Sequence, residues 1–459
     1  MIPTDLRSWL DDEVPALRRE FGVPGCAVGV LTPDGVLDTA DGVLNLRTGA
    51  PVTTESLFQV GSITKLWTAT LILQLVEDGL LDLDAPVASV LPGFRVADAA
   101  ASAAITTRQL LTHTSGVLGD AFVPTSRGDD AVARYVDEVV PGLPQDVPPG
   151  AGLSYSNSGY VILGRIAEVL RGRPFHELLA ERIAGPLGLE HWAALPEQAL
   201  LHGTAVGHMN RRGGDPQPFP FWSLPHALAP AGALLAMNPR GLLAFGADLA
   251  GHHKLLSAET VEQAWTPYVE VPDIGALGTH WGLGWMLFDW PGARVVGHDG
   301  TTVGQSSQFR LLPDAGIALV SLANGGRAAG FHRAVARHVL RATGGVDVPP
   351  PVVAPGQRVP VDALRYAGRY DSSSMSLVIQ VRPDGTAVAV ESALTPEARS
   401  VWPEVLTTEL VTLDGERLIA TEATTGIPTI FAFRGGPGKP ATHVFRGGRL
   451  TARTGDVSA

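Results

Sequence analysis

The sequence has 459 residues, which is enough for one large domain with an appendage or for as many as three domains. Apolar residues make up 45% of the chain and charged residues 17%, a globular composition that excludes a disordered, collagen-like or coiled-coil protein. The formal net charge of −12 disfavours nucleic acid as a partner, because an acidic surface repels phosphates.

The first 40 residues predict a helix followed by a hairpin. Between residues 4 and 20, apolar side chains recur at three- and four-residue steps among charged ones, the pattern of an amphipathic helix, although Pro15 disfavours its second half. Two short strands, 26–31 and 35–40, lie on either side of an Asp-Gly hairpin turn. The apolar surroundings of Cys26, the one cysteine, predict a buried thiol and exclude disulfides and multi-cysteine metal or redox sites.

The sequence shows no sign of export or of membrane insertion. Charges occur every few positions near the start, so no secretory signal is expected. The longest apolar stretches fall well short of the roughly 20 residues that a membrane helix needs. We therefore expect a cytoplasmic protein without a membrane partner.

Helices occupy the middle of the chain, and strands return after it. Helical patterns are found at residues 62–77, 107–111, 131–138, 158–170 and 239–249. Strand patterns are found at 282–288, 293–298, 306–312 and 316–323, and a last helix is predicted at 331–342. Strands at both ends of a helical segment predict one antiparallel sheet built from both, in an α+β layered domain.

Residues 344–360 mark a domain boundary. Five prolines and three glycines in this stretch predict a semi-rigid linker. Residues 361–459 hold short alternating runs and turn signals without a long helical pattern, which predicts a small all-β barrel or sandwich. We therefore expect domains at 1–343 and 361–459, joined by the linker 344–360.

Ser62 and Lys65 form the first candidate catalytic pair. Because they are three residues apart at the start of a helix, they lie on the same face, one turn apart. Burial lowers the pKa of a lysine, so Lys65 can take the proton of Ser62 and make its hydroxyl nucleophilic. The helix N-terminus adds free N–H groups that stabilise an oxyanion. Alone, the same pattern also fits an ordinary helix start with a serine cap.

Two further segments carry residues that suit this chemistry. Tyr155, just before the helix at 158–170, can share proton transfer with Lys65, and the amide of Asn157 can bind substrate or hold Lys65. In the segment Gly-His-Asp-Gly-Thr at 297–301, His298 can accept or relay a proton near neutral pH, and the glycines allow a ligand to come close. Taken singly, each segment also fits an ordinary turn.

Other chemistries lack their motifs in this sequence. There is no G-x-S-x-G nucleophile elbow, no H-E-x-x-H zinc motif and no phosphate-binding G-x-x-x-x-G-K. His252 and His253 are adjacent and would point about 100° apart on a helix, which makes a poor metal pair. We therefore assign no metal and no cofactor.

In this order and at these separations, the three segments resemble the S-x-x-K, Y-x-N and K-T-G or H-x-G motifs of the penicillin-binding serine enzymes. That superfamily includes the D,D-carboxypeptidases, class C β-lactamases, related esterases and D-aminopeptidases. The resemblance covers residues 10–340 or so. It implies a β-lactamase/transpeptidase-like fold, in which helices flank an antiparallel sheet, and an acyl-serine mechanism.

The resemblance also implies roles for the catalytic residues. Ser62 is implied as the nucleophile, Lys65 as its base and Tyr155 as the group that helps to protonate the leaving group. The backbone N–H groups of Ser62 and Thr301 are implied as the oxyanion hole. His298 stands in place of a lysine, as it does in the esterase-like and D-aminopeptidase-like branches.

The implied substrate-binding residues are Asn157, Asp299, Gly300 and Thr301. Asp299 stands where threonine is common in the superfamily. A carboxylate at this position disfavours a site that grips a substrate carboxylate, because like charges repel.

Within the superfamily, the chain is most similar to the penicillin-binding-protein-type thioesterases. The shared features are the lack of a signal peptide, a C-terminal lipocalin-like domain after a linker and the segment G-H-D-G-x-T-x-G-Q, here Gly297 to Gln305. Such enzymes take a peptide from the carrier-protein thioester of a nonribosomal synthetase and release it, usually as a head-to-tail macrolactam. The resemblance therefore implies a peptide cyclase that acts on a carrier-protein-bound thioester, with a D-residue or glycine at the acylating carbon.

Two alternatives stay open. A cytoplasmic esterase, D-aminopeptidase or β-lactamase-like hydrolase would use the same catalytic residues with water as the acceptor. A non-catalytic binder would keep the pocket and use the β domain as an interaction surface, but the presence of Ser62, Lys65 and Tyr155 argues against it. The β domain either forms part of the cleft or only braces the catalytic domain.

Overall fold

The structure is a computed structural model that describes residues 4–457, apart from 211–214, 357–358, 396–398, 400–404, 422–427 and 437. It contains an eight-stranded antiparallel sheet flanked by helices, followed by a closed eight-stranded barrel. The predicted α+β class with a C-terminal all-β domain is therefore confirmed. Of the two architectures predicted for that domain, the structure shows the barrel.

The helices have the following bounds: α1 Thr4–Glu20, α2 Thr64–Glu77, α3 Ala99–Ala104, α4 Thr107–Leu111, α5 Ala131–Arg134, α6 Asn157–Arg171, α7 Phe175–Leu179, α8 Gly185–Leu187, α9 Pro196–Ala199, α10 Pro239–Ala247, α11 Ala258–Ala264, α12 Ala328–Gly344 and α13 Ala363–Tyr366. None of the helices in the described part of the chain combines the length and the hydropathy that crossing a bilayer requires.

The strands before the barrel are β1 Gly25–Thr32, β2 Gly35–Gly42, β3 Phe58–Gln59, β4 Trp192–Ala193, β5 His208–Asn210, β6 Pro216–Pro218, β7 Ala236–Met237, β8 Val269–Glu270, β9 His280–Trp281, β10 Met286–Phe288, β11 Val295–Thr301, β12 Ser306–Leu312 and β13 Ile317–Ala323. Those of the barrel are β14 Gly368–Asp371, β15 Met375–Val381, β16 Ala387–Ala393, β17 Val405–Thr412, β18 Arg417–Ala420, β19 Ile430–Arg434, β20 His443–Arg446 and β21 Arg449–Gly455.

The main sheet contains strands from both ends of residues 4–344, which we call the catalytic unit, as the sequence predicts. Its order is β2-β1-β13-β12-β11-β10-β9-β8, and β1 pairs antiparallel with β13 so that Cys26 lies opposite Ala323. Apart from the half-buried Leu31, the apolar residues of β1 and β13 are buried on both faces. One face packs against α10, with α2 and α6 in the same apolar cluster, and the other packs against α1 and α12. Cys26 is buried, and burial raises the pKa of its thiol to about 12, so it stays protonated.

The helix α1 continues through Pro15, against the expectation that its second half is weak. A proline removes the hydrogen bond to the carbonyl four residues earlier, here at Asp11. Asp11 is exposed, so water can bind that carbonyl. The apolar stripe of Leu6, Leu10 and Val14 is fully buried and holds the helix against the sheet.

Two other predicted elements differ from the structure. In the predicted helix 131–138, α5 ends at Arg134 and a π-helical turn follows. In the predicted strand 282–288, only Met286–Phe288 is a strand, because Gly282 and Trp285 form a turn in which Gly284 takes a φ of +91°. A side chain at Gly284 would lie 2.7 Å from Cβ of Ala69 on α2, so this turn brings the sheet close to the helix.

The barrel strands pair in sequence order, and β14 closes the circle by pairing with β21. Side chains alternate between the inside and the outside of the barrel. Phe431 and Phe433 fill the interior together with Tyr370, while Ala432 and Phe445 point outward.

The outward face of β19 to β21 packs on the catalytic unit. Ala432, Phe445 and Leu450 share one buried cluster with Leu153 and Tyr155. Polar contacts reinforce this interface, including Tyr155 N to Gly448 O at 2.8 Å, Arg434 Nη1 to Ala151 O at 3.1 Å, Ser373 N to Asp146 Oδ1 at 2.9 Å and an ion pair between Arg417 and Asp273.

We predict that Phe445→Ala destabilises the whole protein. The fully buried ring joins the barrel to the catalytic unit, and its truncation leaves a cavity, so the free energy of unfolding falls by about 3 kcal/mol. Denaturant titration followed by tryptophan fluorescence measures this change. Leu364→Ala is the control because Leu364 is 83% exposed, and it changes stability by less than about 0.5 kcal/mol. Equal effects of the two substitutions would contradict the interface.

Candidate active site

Ser62 and Lys65 lie where β3 leads into α2. Ser62 is partly exposed in a 3-10 turn, and Lys65 is fully buried in the first turn of α2. The amino group Nζ of Lys65 lies 3.1 Å from Ser62 Oγ, 2.8 Å from Asn157 Oδ1 and 2.5 Å from Ala231 O. The structure therefore brings together three of the residues that the sequence predicts, and adds a backbone carbonyl that it does not.

The surroundings of Lys65 favour its neutral form. Burial lowers the pKa of its amino group well below the usual value, the charge of Arg449 lowers it further, and Asp120 raises it. A neutral amine has two N–H groups and one lone pair. The carbonyl oxygens of Ala231 and Asn157 can only accept, so they take the two N–H groups. The lone pair is then left for the hydroxyl of Ser62, which is the geometry of a general base.

Tyr155 is buried beside this pair. Its ring centroid lies 4.9 Å from Lys65 Nζ. Burial raises the pKa of its hydroxyl, and a hydrogen bond with Ser62 acts in the opposite direction. A neutral phenol beside Ser62 can hold or pass on a proton.

Aromatic contacts hold Tyr155 in place. The ring of His113 lies 4.1 Å from that of Tyr155, and Trp281 meets the same ring edge-on at 5.8 Å. His113 also accepts a hydrogen bond from the backbone N of Ser156 at 3.0 Å. This contact fixes the backbone at the residue that follows Tyr155. These buried aromatic rings therefore brace the site.

The strand β11 presents a free edge to Ser62. Its first half pairs with β10, but no partner pairs with Thr301 on that side within the described residues. Thr302 N and Gln305 O close the hairpin to β12, so the next pair, Thr301 and Ser306, does not exchange hydrogen bonds. The N–H of Thr301 therefore points out of the sheet, as an oxyanion hole requires.

Two glycines let β11 approach the start of α2. A Cβ at Gly61, whose φ is +53°, would lie 2.6 Å from Thr301 N. A Cβ at Gly300 would lie 1.9 Å from Val60 O and 2.4 Å from Ser307 Oγ. Any side chain at Gly300 would separate Thr301 from Ser62. The predicted oxyanion-hole residues are thus neighbours because of these close contacts.

His298 is buried next to Tyr155, with 6.3 Å between the ring centroids. Burial and the nearby Lys65 lower the pKa of its imidazole to about 3, so the ring is neutral near pH 7 and does not titrate there. Its Nδ1 lies 2.6 Å from Asp299 O, which leaves the proton on Nδ1 and a lone pair on Nε2. Nε2 has no hydrogen-bond partner within the described residues, so it is available to accept a proton or a substrate N–H.

Asp299 lies on the opposite face of the sheet from His298, because side chains alternate along β11. Its carboxylate is held by Arg310 at 2.7 and 3.1 Å, and the charge of Arg310 lowers the pKa of the carboxyl against the effect of burial. Asp299 lines a cavity of about 440 Å³ together with Thr301 and His332. Asp299, which the sequence resemblance implies as a substrate-binding residue, therefore does not lie with Ser62, Lys65 and Tyr155 in the structure.

Two residues of the site were missed in the sequence. Asp120 accepts a hydrogen bond from Asn157 Nδ2 at 3.0 Å, and Arg449 of the barrel binds Asp120 through Nε at 3.0 Å and Nη2 at 2.7 Å. The guanidinium of Arg449 also lies 5.0 Å from the ring centroid of Tyr155. Neither residue belongs to a motif, and 329 positions separate them. No group of three or more potential metal ligands occurs among the described residues.

This fold and this site define a serine hydrolase of the penicillin-binding type, and comparison with known proteins agrees. The Beta-lactamase family model matches residues 10–344. Penicillin-binding protein 4 of Amycolatopsis lactamdurans is 40% identical over 377 residues, which cover 81% of this chain and 98% of that protein. The chain therefore belongs to the beta-lactamase family.

Other similarities extend over the barrel or concern another hydrolase. The crystal structure of SurE is similar with a TM-score of 0.78 at 26% identity, and the match covers 98% of this chain and 99% of SurE. SurE with D-Leu matches with a TM-score of 0.75. The unguisins hydrolase ungD of Aspergillus violaceofuscus is 23% identical over 350 residues, which cover 70% of this chain and 62% of that enzyme.

We predict that Gly300→Ala slows acylation of Ser62 by about 10²- to 10³-fold, because the added methyl forces β11 and the N–H of Thr301 away from the serine. The rate of labelling by a fluorophosphonate, followed by mass spectrometry, measures the loss. Gly415→Ala is the control, since a Cβ there meets no atom within 4 Å. Labelling of the Gly300 variant at the wild-type rate would rule out this oxyanion hole.

We also predict that Arg449→Met moves the pH dependence of acylation. Because Arg449 lowers the pKa of Lys65, its removal raises that pKa, and the rise of the labelling rate with pH shifts to higher pH. Arg434→Met is the matched control, as Arg434 is also a barrel arginine bound to the catalytic unit but does not act on Lys65. A midpoint that stays in place or moves to lower pH would contradict the assignment.

Proposed function

We propose that the protein is a standalone peptidyl thioesterase that takes a nonribosomal peptide from a carrier-protein thioester and closes it into a head-to-tail macrolactam. The observation that carries this proposal is that the barrel belongs to the catalytic site. Arg449 and the preceding Gly448 contact Asp120 and Tyr155, and the likeness to SurE extends over both domains. The thioesterase branch has the same combination of a serine domain and a lipocalin-like domain.

In the first half-reaction, Lys65 takes the proton of Ser62 as Ser62 Oγ attacks the thioester carbonyl carbon. The N–H groups of Ser62 and Thr301 stabilise the resulting oxyanion. The C–S bond then breaks, the thiol leaves with a proton passed through Tyr155, and the peptide remains on Ser62 as an ester. Burial lowers the pKa of Lys65 well below its usual value and so favours the neutral amine before each attack.

In the second half-reaction, the free amine of the same peptide attacks the ester carbon. The amine gives up one proton to the Lys65 and Tyr155 pair, and the C–O bond to Ser62 breaks as the hydroxyl is restored. No water is consumed, so the product is a lactam. The buried rings of Tyr155 and Tyr160 lie 4.9 and 5.4 Å from Lys65 Nζ, so the base itself is shielded from water.

The likeness to SurE favours a D-residue at the acylating carbon. SurE has been solved with D-Leu, and it covers nearly all of this chain at 26% identity. Position 232 is a glycine with a φ of +121°, at which a Cβ would lie 2.3 Å from Gly61 O. Gly232 therefore lets the segment before β7 pack directly against the backbone of Gly61 and Ser62, so main-chain atoms bound the acyl site on this side.

The test is mass spectrometry of the products from a linear peptidyl thioester with a free amine and a C-terminal D-residue. We expect a product lighter than the substrate by the thiol alone, formed by the wild type and absent with Ser62→Ala. The C-terminal L-epimer of the same thioester is the control substrate and should react at least about tenfold more slowly, a difference of roughly 1.4 kcal/mol in activation free energy.

The second candidate is hydrolysis of a peptide, ester or D-residue amide with the same acyl-serine chemistry. The likeness to the unguisins hydrolase supports it. Linear acid as the sole Ser62-dependent product would favour this candidate over the cyclase. Unchanged thioester together with turnover of p-nitrophenyl butyrate would favour a small-molecule esterase, and failure of Ser62 to react with any acyl probe would point to a binding protein.

A further inference from the structure

The loop at residues 117–120 is pressed against the start of α6. The carbonyl of Gly119 accepts hydrogen bonds from the backbone N of Asn157 and of Ser158, both at 3.1 Å. A Cβ at Gly119 would lie 2.5 Å from Tyr155 O. The next residue, Asp120, is therefore placed directly beside the side chain of Asn157.

Asp120 makes hydrogen bonds on both sides. Its Oδ1 accepts from Asn157 Nδ2 at 3.0 Å and from Arg449 Nη2 at 2.7 Å, and its Oδ2 accepts from Arg449 Nε at 3.0 Å. On the other side of the amide, Asn157 Oδ1 accepts from Lys65 Nζ at 2.8 Å. A continuous chain of contacts thus runs from the barrel to the catalytic lysine.

The orientation of the Asn157 amide decides where the lone pair of Lys65 points. With its oxygen toward Lys65, the amide takes an N–H of the neutral amine and leaves the lone pair for Ser62. With its NH₂ toward Lys65, it would donate to that lone pair and compete with the serine hydroxyl. An ionised carboxylate can only accept, so Asp120 permits only the first orientation.

We propose that Asp120 is a positioning residue that holds the Asn157 amide with its oxygen toward Lys65, and so directs the lone pair of Lys65 to Ser62. This inference rests on the acyl-serine mechanism proposed above. It states that the Asp120 carboxylate orients the Asn157 amide, in addition to joining the two domains through Arg449. Arg449 in turn holds the carboxylate, because it binds both of its oxygens.

Because charged groups near Lys65 shift its pKa, the role proposed for Asp120 can be tested by the pH dependence of Ser62 labelling. Asp120 raises the pKa of Lys65 and Arg449 lowers it. The other titratable groups that face it are Tyr155, Tyr160, His113 and His298; burial raises the pKa of both phenols and lowers that of both imidazoles, so all four are neutral near pH 7.

The experiment compares fluorophosphonate labelling of Ser62 in the full-length wild type, Asp120→Ala and Asp120→Asn. We expect the alanine variant to label about 10- to 100-fold more slowly at its optimal pH, because the amide can turn. The asparagine variant retains one acceptor oxygen and should recover part of this loss. In both variants the rise of the rate with pH should shift to lower pH, since a negative charge that raises the pKa of Lys65 has been removed.

Asp273→Ala is the matched control. It removes a second interdomain aspartate–arginine ion pair, the one with Arg417. Asp273 is not a hydrogen-bond partner of Asn157 or Lys65, so the labelling rate should stay within about twofold of the wild type. Thermal unfolding of each variant checks folding. If the alanine variant does not fold, Asp120→Glu and Asp120→Gln provide the same comparison, with the glutamate expected to label faster.

Equal labelling of the wild type and Asp120→Ala, or equal losses in the alanine variants at 120 and 273, would overturn the inference while leaving the acyl-serine mechanism intact. Loss without recovery in Asp120→Asn and without a shift in the pH profile would also overturn it, in favour of a purely structural role. Absence of labelling in the wild type would overturn the proposed mechanism itself, and this inference with it.

Discussion

The burial of one amino group is the constraint on which the rest of the site depends. Lys65 is removed from water, and burial lowers the pKa of its amino group well below the usual value, so the fold favours the neutral amine. Its two N–H groups must then find acceptors inside the protein. Ala231 and Asn157 supply them from positions that are 166 and 92 residues away. The requirement to satisfy one buried amine thus aligns three separate parts of the chain.

A second constraint is the close contact of backbone with backbone around Ser62. The glycines at 61, 232 and 300 each take a position where a Cβ would lie within 2.6 Å of a neighbouring main-chain atom. These contacts bring the edge of β11, the turn before α2 and the segment before β7 within reach of one acyl group. The oxyanion site is therefore a property of the packing and not of any single motif.

The barrel takes part in the electrostatics of the site. Arg449 and Asp120 carry opposite charges and act in opposite directions on the pKa of Lys65, so their ion pair limits the net effect of either. The apolar interface around Phe445 fixes the barrel and therefore the position of Arg449. The barrel thus contributes a charged side chain next to the catalytic residues, whereas contact of this domain with the substrate or the carrier protein stays a prediction.

Much of the fold and the centre of the site could be predicted from the sequence. Period-two and period-3.6 patterns placed six of the eight strands of the main sheet, all but β8 and β9, and the long helices, and short alternating runs indicated the all-β domain. The spacing of Ser62 and Lys65 is local, and a helix places such residues on one face. The predictions failed where tertiary packing overrides local sequence preference, as in the turn at Gly284 and in α1, which continues through Pro15.

The tertiary structure decided what depends on contacts between distant segments. Asp120, Ala231 and Arg449 belong to no motif, and each acts through a hydrogen bond to a residue far away in the chain. The same holds for His298, whose residue type suggests titration near neutral pH, whereas burial lowers the pKa of its imidazole to about 3. The sequence by itself determined which reactive groups the protein has and the order of its elements, since these follow from residue type and local period. Their protonation states and orientations depend on burial and on partners, and only the folded chain supplies those.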